Sequence, residues 1–320
     1  MGPTASGKSN VALEVAKRLP VEIVSVDSAQ VYRHMNIGTA KPTAATLKTV
    51  PHHLVNLIDP NQRYSAAEFR MDALKKIGEI TARRKIPLLV GGTMLYFHAL
   101  QQGLSELPPA NEEIRLTIEE MAKKLGWSAM HTTLSTLDPT IAIRIKPTDT
   151  QRIQRALEVC YVTNQPMSEI QQKTKAPNLP YQGINIALIP SDRSILHQRI
   201  VRRFRDMIRN GLIDEVHSIR QRFHVNVASP AMRCVGYRQT WLYLDNKINL
   251  TQLEEMGAAA TRQLAKRQLT WLRKMQTDEL NTFDCLAEDL SDRVLALLQT
   301  IKFDVVTNHN HKTSSVQHNQ

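Results

Sequence analysis

The sequence predicts an α/β protein: a P-loop-type parallel sheet flanked by helices and interrupted by an all-helical insertion. Three observations carry this. Residues 2–9 read Gly-Pro-Thr-Ala-Ser-Gly-Lys-Ser, which meets every specified position of a phosphate-binding loop. Short apolar runs rich in β-branched residues recur at Val21–Val26, Ile86–Val90 and Ile184–Ile189, each ended by polar, Gly or Pro residues. Between about Pro108 and Pro180 no strand pattern appears, only helical periodicity broken by prolines.

The loop comes first in the chain. Its small residues let successive backbone N–H groups converge on phosphate oxygens, Lys8 adds a cation, and the Ser9 hydroxyl can hold Mg²⁺. A helix follows, with Val11, Ala12, Val15, Ala16 and Leu19 as its apolar stripe, and its N-terminus favours the same anion. The buried strand that ordinarily precedes such a loop is missing, so the sequence predicts a gap in the sheet and a start placed too far downstream, the alternative being that another segment fills the slot.

Val21–Val26 reads as a buried parallel strand that leaves Asp27 at a carboxyl end, and Ile86–Val90 leaves Gly91-Gly92-Thr93 in the equivalent place. Ligands of open α/β sheets bind at these ends, so Lys8, Asp27 and Thr93 are expected to converge. The insertion should contain helices at Glu112–Leu125 and Gln151–Thr163. On the second, Arg152 and Arg155 share a face while Ile153, Leu157 and Cys160 pack. Later, Arg262, Lys266 and Arg273 fall on one helical stripe, with Ala260, Leu264 and Trp271 opposite. The predicted divisions are 1–108 and 183–301 for the core, 109–182 for the insertion, and 302–320 for a disordered tail. The histidines flanking Asn310 in that tail are too unstructured for a metal site.

Composition narrows the function. With 320 residues, 42% hydrophobic and 22% charged, the chain can bury a core. No apolar run approaches the roughly 20 residues of a membrane span, and no signal stretch is present, which predicts a cytoplasmic protein without membrane contact. Cys160, Cys234 and Cys285 are too few and too scattered for disulfides or zinc, and are expected as three small buried residues. The net charge of +11 points to a polyanionic partner. From Arg199 to Arg238 there are nine arginines, no lysines and three acids, a bias suited to bidentate phosphate contacts and base stacking. The loop and strands alone fit a small-molecule kinase using ATP equally well, and the charge alone fits a nonenzymatic RNA-binding module.

The motifs together resemble the tRNA dimethylallyltransferase family of bacterial type, from Gly2 to about Arg273. They are G-P-T-A-S-G-K-S at 2, V-D-S-A-Q-V-Y at 26, I-G-T-A-K-P at 37, H-L-V-N-L-I-D-P at 53 and Y-S-A-A-E-F at 64. G-G-T-M-L-Y follows at 91, Q-R-I-Q-R-A-L-E at 151, R-C-V-G-Y-R at 233 and A-K-R-Q-L-T-W-L-R at 265.

The resemblance implies transfer of a dimethylallyl group from dimethylallyl diphosphate to the exocyclic amine of the adenosine following the anticodon. Gly2, Thr4, Ala5, Ser6, Gly7, Lys8 and Ser9 would hold the diphosphate, with Mg²⁺ on Ser9. Asp27 would act as base, Thr93 would sit beside the substrate, and Arg203 would stabilise the leaving group. A carboxylate suits this task because the adenine amine is a poor nucleophile until its proton is accepted. The tRNA anticodon stem-loop would be contacted by Asp27, Ser28, Ala29, Gln30, Thr93, Arg115 and Gln151, Arg152, Ile153, Gln154, Arg155. Further along, Arg233, Cys234, Val235, Gly236, Tyr237, Arg238 and Lys266, Arg267, Gln268, Leu269, Thr270, Trp271, Leu272, Arg273 would join it. The target base would be flipped out of the loop. Nothing in the sequence demands more than a monomer.

Overall fold

A computed structural model describes residues 1–173, 179, 181–275 and 280–301. The expected tail at 302–320 lies outside them. The chain forms two compact units, one of residues 1–98 with the chain from Tyr181 onward, the other Ala99–Pro180.

In the first unit, helix α1 (Lys8–Arg18) leaves the phosphate loop and strand β1 (Val21–Val26) follows. Then come α2 (Ala44–Thr49), the two-residue strand β2 (His52–His53), α3 (Ala66–Ala82), β3 (Ile86–Gly91) and the first residues of α4 (Met94–Gln102), whose end belongs to the other unit. Strand β1 is buried along its whole length and pairs in parallel with both β2 and β3. Such a run of Val and Ile suits a position covered on both faces, where each full side-chain burial contributes about 1.5–3 kcal/mol. Strand β3 departs from the expected buried strand: Ile86 to Val90 are half-buried, because among the described residues β3 pairs only with β1.

The second half of this unit holds β4 (Asn185–Ile189), and the chain returns to it as β5 (Leu280–Asp284), a parallel partner. No strand among the described residues joins this pair to the order β2-β1-β3. Met1 lies beside β4, its nitrogen donating to the Ile186 carbonyl at 2.7 Å and its carbonyl accepting the Leu188 N–H at 2.9 Å. Val11 and Val15 of α1 pack with Leu188 and with Leu290, Val294, Leu295 and Leu298 of the last helix, Leu290–Gln299.

Among its described residues the unit of 99–180 holds helices and no strand, and it starts within α4 rather than at 109. Its helices are α5 (Glu112–Leu125), α6 (Trp127–Leu137), α7 (Pro139–Ala142), α8 (Thr150–Thr163) and α9 (Met167–Lys173). Ile118, Met130, Leu134, Ile153, Ala156 and Leu157 form its core. The buried Asp138 ties two helix starts together, accepting the Ile141 N–H at 3.0 Å and the Ser168 N–H at 2.8 Å.

Between β4 and β5 lie α10 (Arg193–Arg209), α11 (Leu212–Arg222), α12 (Tyr237–Leu244) and the long α13 (Leu250–Lys274). Helix α13 meets α10 closely at Gly257, where a Cβ would collide with the Phe204 ring. Its buried stripe is Ala258, Ala265, Gln268, Leu269 and Leu272. This corrects the sequence expectation. Ala260, Leu264 and Trp271 are only half-buried, because the face that packs on α10 and α12 is rotated from the stripe they define. The cysteines are also corrected in part: Cys160 and Cys285 are buried, while Cys234 is half-buried at the edge of an apolar cluster.

Candidate active site and RNA-facing elements

The phosphate loop turns through two left-handed residues, Ala5 at φ 64° and Gly7 at φ 79°. The second is the glycine the motif specifies, and it tolerates this conformation without a Cβ penalty. The loop folds Lys8 back so that its Nζ donates to the Pro3 carbonyl at 3.2 Å. Burial lowers the Lys8 pKa from 10.5 to about 8, although Asp27 opposes the shift; Arg203 adds to it. Ser6 is fully buried, and its hydroxyl has no hydrogen-bond partner among the described residues.

Two helices grip Thr4. From α10, Arg203 donates through Nη1 to the Thr4 hydroxyl at 3.2 Å. From α13, Gln268 accepts the Thr4 N–H at 2.8 Å and donates to the Gly92 carbonyl at 2.9 Å. Burial disfavours the Arg203 charge and Asp27 favours it. Asp27 therefore sits in the field of Lys8 from the loop and of Arg203 from α10.

Asp27 is held by its own turn: Oδ1 accepts the N–H of Ala29 at 2.9 Å and of Gln30 at 3.4 Å. Its Oδ2 makes no hydrogen bond among the described residues. Thr93 reaches the same turn, its hydroxyl accepting the Ser28 N–H at 3.0 Å and lying 3.3 Å from the Ser28 hydroxyl. The Thr93 carbonyl opens α4 by accepting the N–H groups of Tyr96 and Phe97. Cys234 lies in the field of Asp27 as well, and burial, then Asp27, push its thiol up to about 12. Lys8, Asp27 and Thr93 are brought together as the strand ends predict, and Arg203, which only the family resemblance implied, joins them through Thr4.

Sequence reasoning missed the scaffold of the 36–41 loop. Glu215 of α11 accepts the N–H groups of Asn36 and Ile37, both at 2.8 Å, and of Gly38 at 3.2 Å, together with the Tyr237 hydroxyl. Lys41 is buried and donates to the Tyr32 carbonyl, Asn36 and Asn56. Burial lowers its pKa to about 8 against the fields of Glu215 and Asp27. The sequence marks this loop only by its I-G-T-A-K-P motif, which names neither Glu215 nor the contacts of Lys41.

The expected RNA-facing residues divide into three groups. Arg152, Arg233, Arg238, Lys266, Arg267, Thr270 and Arg273 are exposed, as is Gln151. Ile153, Tyr237, Gly236, Gln268, Leu269 and Leu272 are buried, so they support those surfaces from beneath rather than present them; Val235 and Trp271 are half-buried, Trp271 edge-on to His98. Arg115 and Arg155 are engaged elsewhere. Arg115 forms two hydrogen bonds to the fully buried Glu158, at 2.9 and 3.0 Å, and Arg155 adds a third at 2.7 Å while donating to the Pro108 carbonyl. The shared face expected for Arg152 and Arg155 is thereby corrected: Glu158, one turn on, draws the Arg155 guanidinium inward. Gln154 donates to the Arg115 carbonyl and to Glu119.

A phosphate loop, two cations, a carboxylate at a strand end and a basic helix define a group-transfer enzyme for phosphorylated substrates. A sequence model of the family described as IPP transferase matches residues 30–275. The tRNA dimethylallyltransferase of Nitrosomonas eutropha is 59% identical over 299 residues, spanning 93% of this chain and 94% of that protein. That of Nitrosospira multiformis is 59% identical over 309 residues, spanning 96% and 95%. Among solved structures, the tRNA isopentenylpyrophosphate transferase of Bacillus halodurans matches with a TM-score of 0.65 and 34% identity, over 93% of this chain and 95% of that one. A eukaryotic dimethylallyltransferase solved while acting on tRNA gives a TM-score of 0.77 and 26% identity, over 93% and 77%. The chain belongs to the tRNA dimethylallyltransferase family, and is a prenyltransferase with a P-loop-type fold. None of these relatives is a kinase, and the kinase alternative is not favoured.

Proposed function

We propose that the protein transfers a dimethylallyl group from dimethylallyl diphosphate to the exocyclic amine of the adenosine 3′ to the anticodon. The observation that supports this best is the meeting of Lys8, Arg203 and Asp27 around one loop, with Thr93 tied to the neighbouring turn. As the amine nitrogen bonds to the terminal allylic carbon, the C–O bond breaks and diphosphate leaves with the electron pair. Lys8 and Arg203 balance the charge that grows on it. The amine proton passes to Asp27, whose Oδ1 is fixed by backbone N–H groups so that Oδ2 can face the base.

The donor set fits Mg²⁺. Ser9 offers an exposed hydroxyl at the start of α1 with no competing partner among the described residues, and this hard cation accepts one such oxygen alongside phosphate and water. Bound there, the ion would supply further neutralisation of the leaving diphosphate. Exposed Lys266, Arg267 and Arg273 on α13, Arg238 on α12 and Arg233 just before it offer cations to an anticodon stem-loop. One chain carries every group the reaction uses, which favours a monomer. No helix among the described residues is long and apolar enough to cross a membrane, and we place the reaction in the cytoplasm with its tRNA substrate.

The test is incubation with dimethylallyl diphosphate, Mg²⁺ and bulk tRNA, followed by mass analysis of nucleosides. An isopentenylated adenosine is expected, and none with ATP alone. Phosphoryl transfer from ATP without any prenylated nucleoside would overturn the reading.

A further inference from the structure

Gln268 stands among exposed cationic neighbours on α13, yet its own side chain turns inward. The residue is 8% exposed, and both ends of its carboxamide are used between two loops. Oε1 accepts the Thr4 N–H of the phosphate loop at 2.8 Å, and Nε2 donates to the Gly92 carbonyl at 2.9 Å. A Cβ at 92 would collide with the Gln268 amide and sit 3.2 Å from the Gly2 carbonyl, so a side chain there would displace the amide from this position. The two loops it joins carry the two halves of the site. Thr4 also receives Arg203, and Gly92 precedes Thr93, whose hydroxyl holds the Ser28 turn beside Asp27.

A buried amide with one donor and one acceptor satisfied by different backbones acts as a spacer of fixed length. We propose that Gln268 is a positioning residue that sets the phosphate loop at its distance from the Gly92–Thr93 loop, and that it is not an RNA contact. Its Oε1 holds the Thr4 N–H of the loop that takes the diphosphate, so loosening this spacer weakens the hold on diphosphate first. Its neighbours Lys266, Arg267 and Arg273 keep their exposure to RNA whatever happens to the amide.

The inference rests on the proposed function for what the loops bind, and its test separates the two. Gln268→Met keeps the side-chain length and removes both hydrogen bonds. Binding of inorganic diphosphate with Mg²⁺, read by calorimetry, is expected to weaken about tenfold, the scale of losing an ordering hydrogen bond in a buried site. The KM for dimethylallyl diphosphate should rise by a similar factor with kcat changed less than about threefold, while anticodon stem-loop affinity stays within about twofold. Gln268→Glu, which keeps an acceptor for Thr4 but sets a carboxylate against the Gly92 carbonyl, serves if the Met variant does not fold, with the same split expected. Lost RNA affinity with diphosphate binding intact would overturn the inference, as would no change in either. A wild-type chain that binds diphosphate but prenylates no tRNA would defeat the functional reading instead, and leave the calorimetric comparison standing.

Discussion

Raising the pH probes the phosphate loop through Lys8. Its pKa is lowered from 10.5 to about 8 by burial and by Arg203, against the pull of Asp27. At pH 7 roughly 90% of the free enzyme carries the charge and at pH 9 roughly 10%, whereas an ordinary lysine would stay almost fully charged at pH 9. Because kcat/KM reports ionisations of the free enzyme, the value for dimethylallyl diphosphate should fall about tenfold between pH 7 and pH 9. kcat at saturation should fall less, since bound diphosphate favours the charged lysine. Lys8 does not itself drive unfolding over this range: with the folded pKa below the unfolded one, the unfolded chain binds more protons between about pH 8 and 10.5, and this group makes stability rise with pH there. Lys41, also near 8, could produce the same limb. Lys8→Arg separates them, for a guanidinium stays charged through the range while Lys41 remains, and the profile should flatten whatever its absolute height. A flat wild-type profile up to pH 9.5, or a falling limb that persists in Lys8→Arg, would refute the assignment.

Three further outcomes follow from the geometry. Asp27→Ala should lower turnover about 10²- to 10⁴-fold in nucleoside assays while anticodon stem-loop affinity stays near wild type; full turnover would remove Asp27 from proton transfer. Neutralising Lys266, Arg267 and Arg273 together should make the log–log salt dependence of RNA binding shallower by about 2, at about 0.7 per single-strand phosphate contact, and an unchanged slope would show that this face does not meet RNA. Glu158→Ala strands Arg115 and Arg155 and should destabilise the helical unit by about 3 kcal/mol, toward the low end for a broken buried ion pair because both arginines reach water; hydrogen exchange of the α5 and α8 amides would show it, and undiminished protection would contradict it.

Legibility followed the range of the interaction. Strand β1 could be read at Val21–Val26 and α5 at Glu112–Leu125 because their burial patterns repeat within the segment itself. Strand β5 could not: Leu-Asn-Thr-Phe-Asp has weak alternation, and its place comes from pairing with β4, nearly a hundred residues earlier. The site divides the same way. The phosphate loop, Asp27 and Thr93 stood out because strand ends and a spaced motif locate them. The grip of Arg203 on Thr4 was reached only through family resemblance, since 199 positions separate the two. Gln268 looked like one more member of a basic segment, and nothing in its neighbours says that its amide turns inward. The partnership of Arg155 with Glu158 lies at three-residue spacing, but helical periodicity marks an apolar face and does not single out an acid buried within it.

The contact of Gly257 with the Phe204 ring reaches beyond helix packing. Phe204 adjoins Arg203 on α10, and α13 delivers Gln268 three turns beyond Gly257, so both hands that clasp Thr4 hang from one hinge-like crossing. A methyl group added at that crossing would touch no ligand, yet it would pry the two hands apart, and a lesion remote from the chemistry would surface as a phosphate-binding defect.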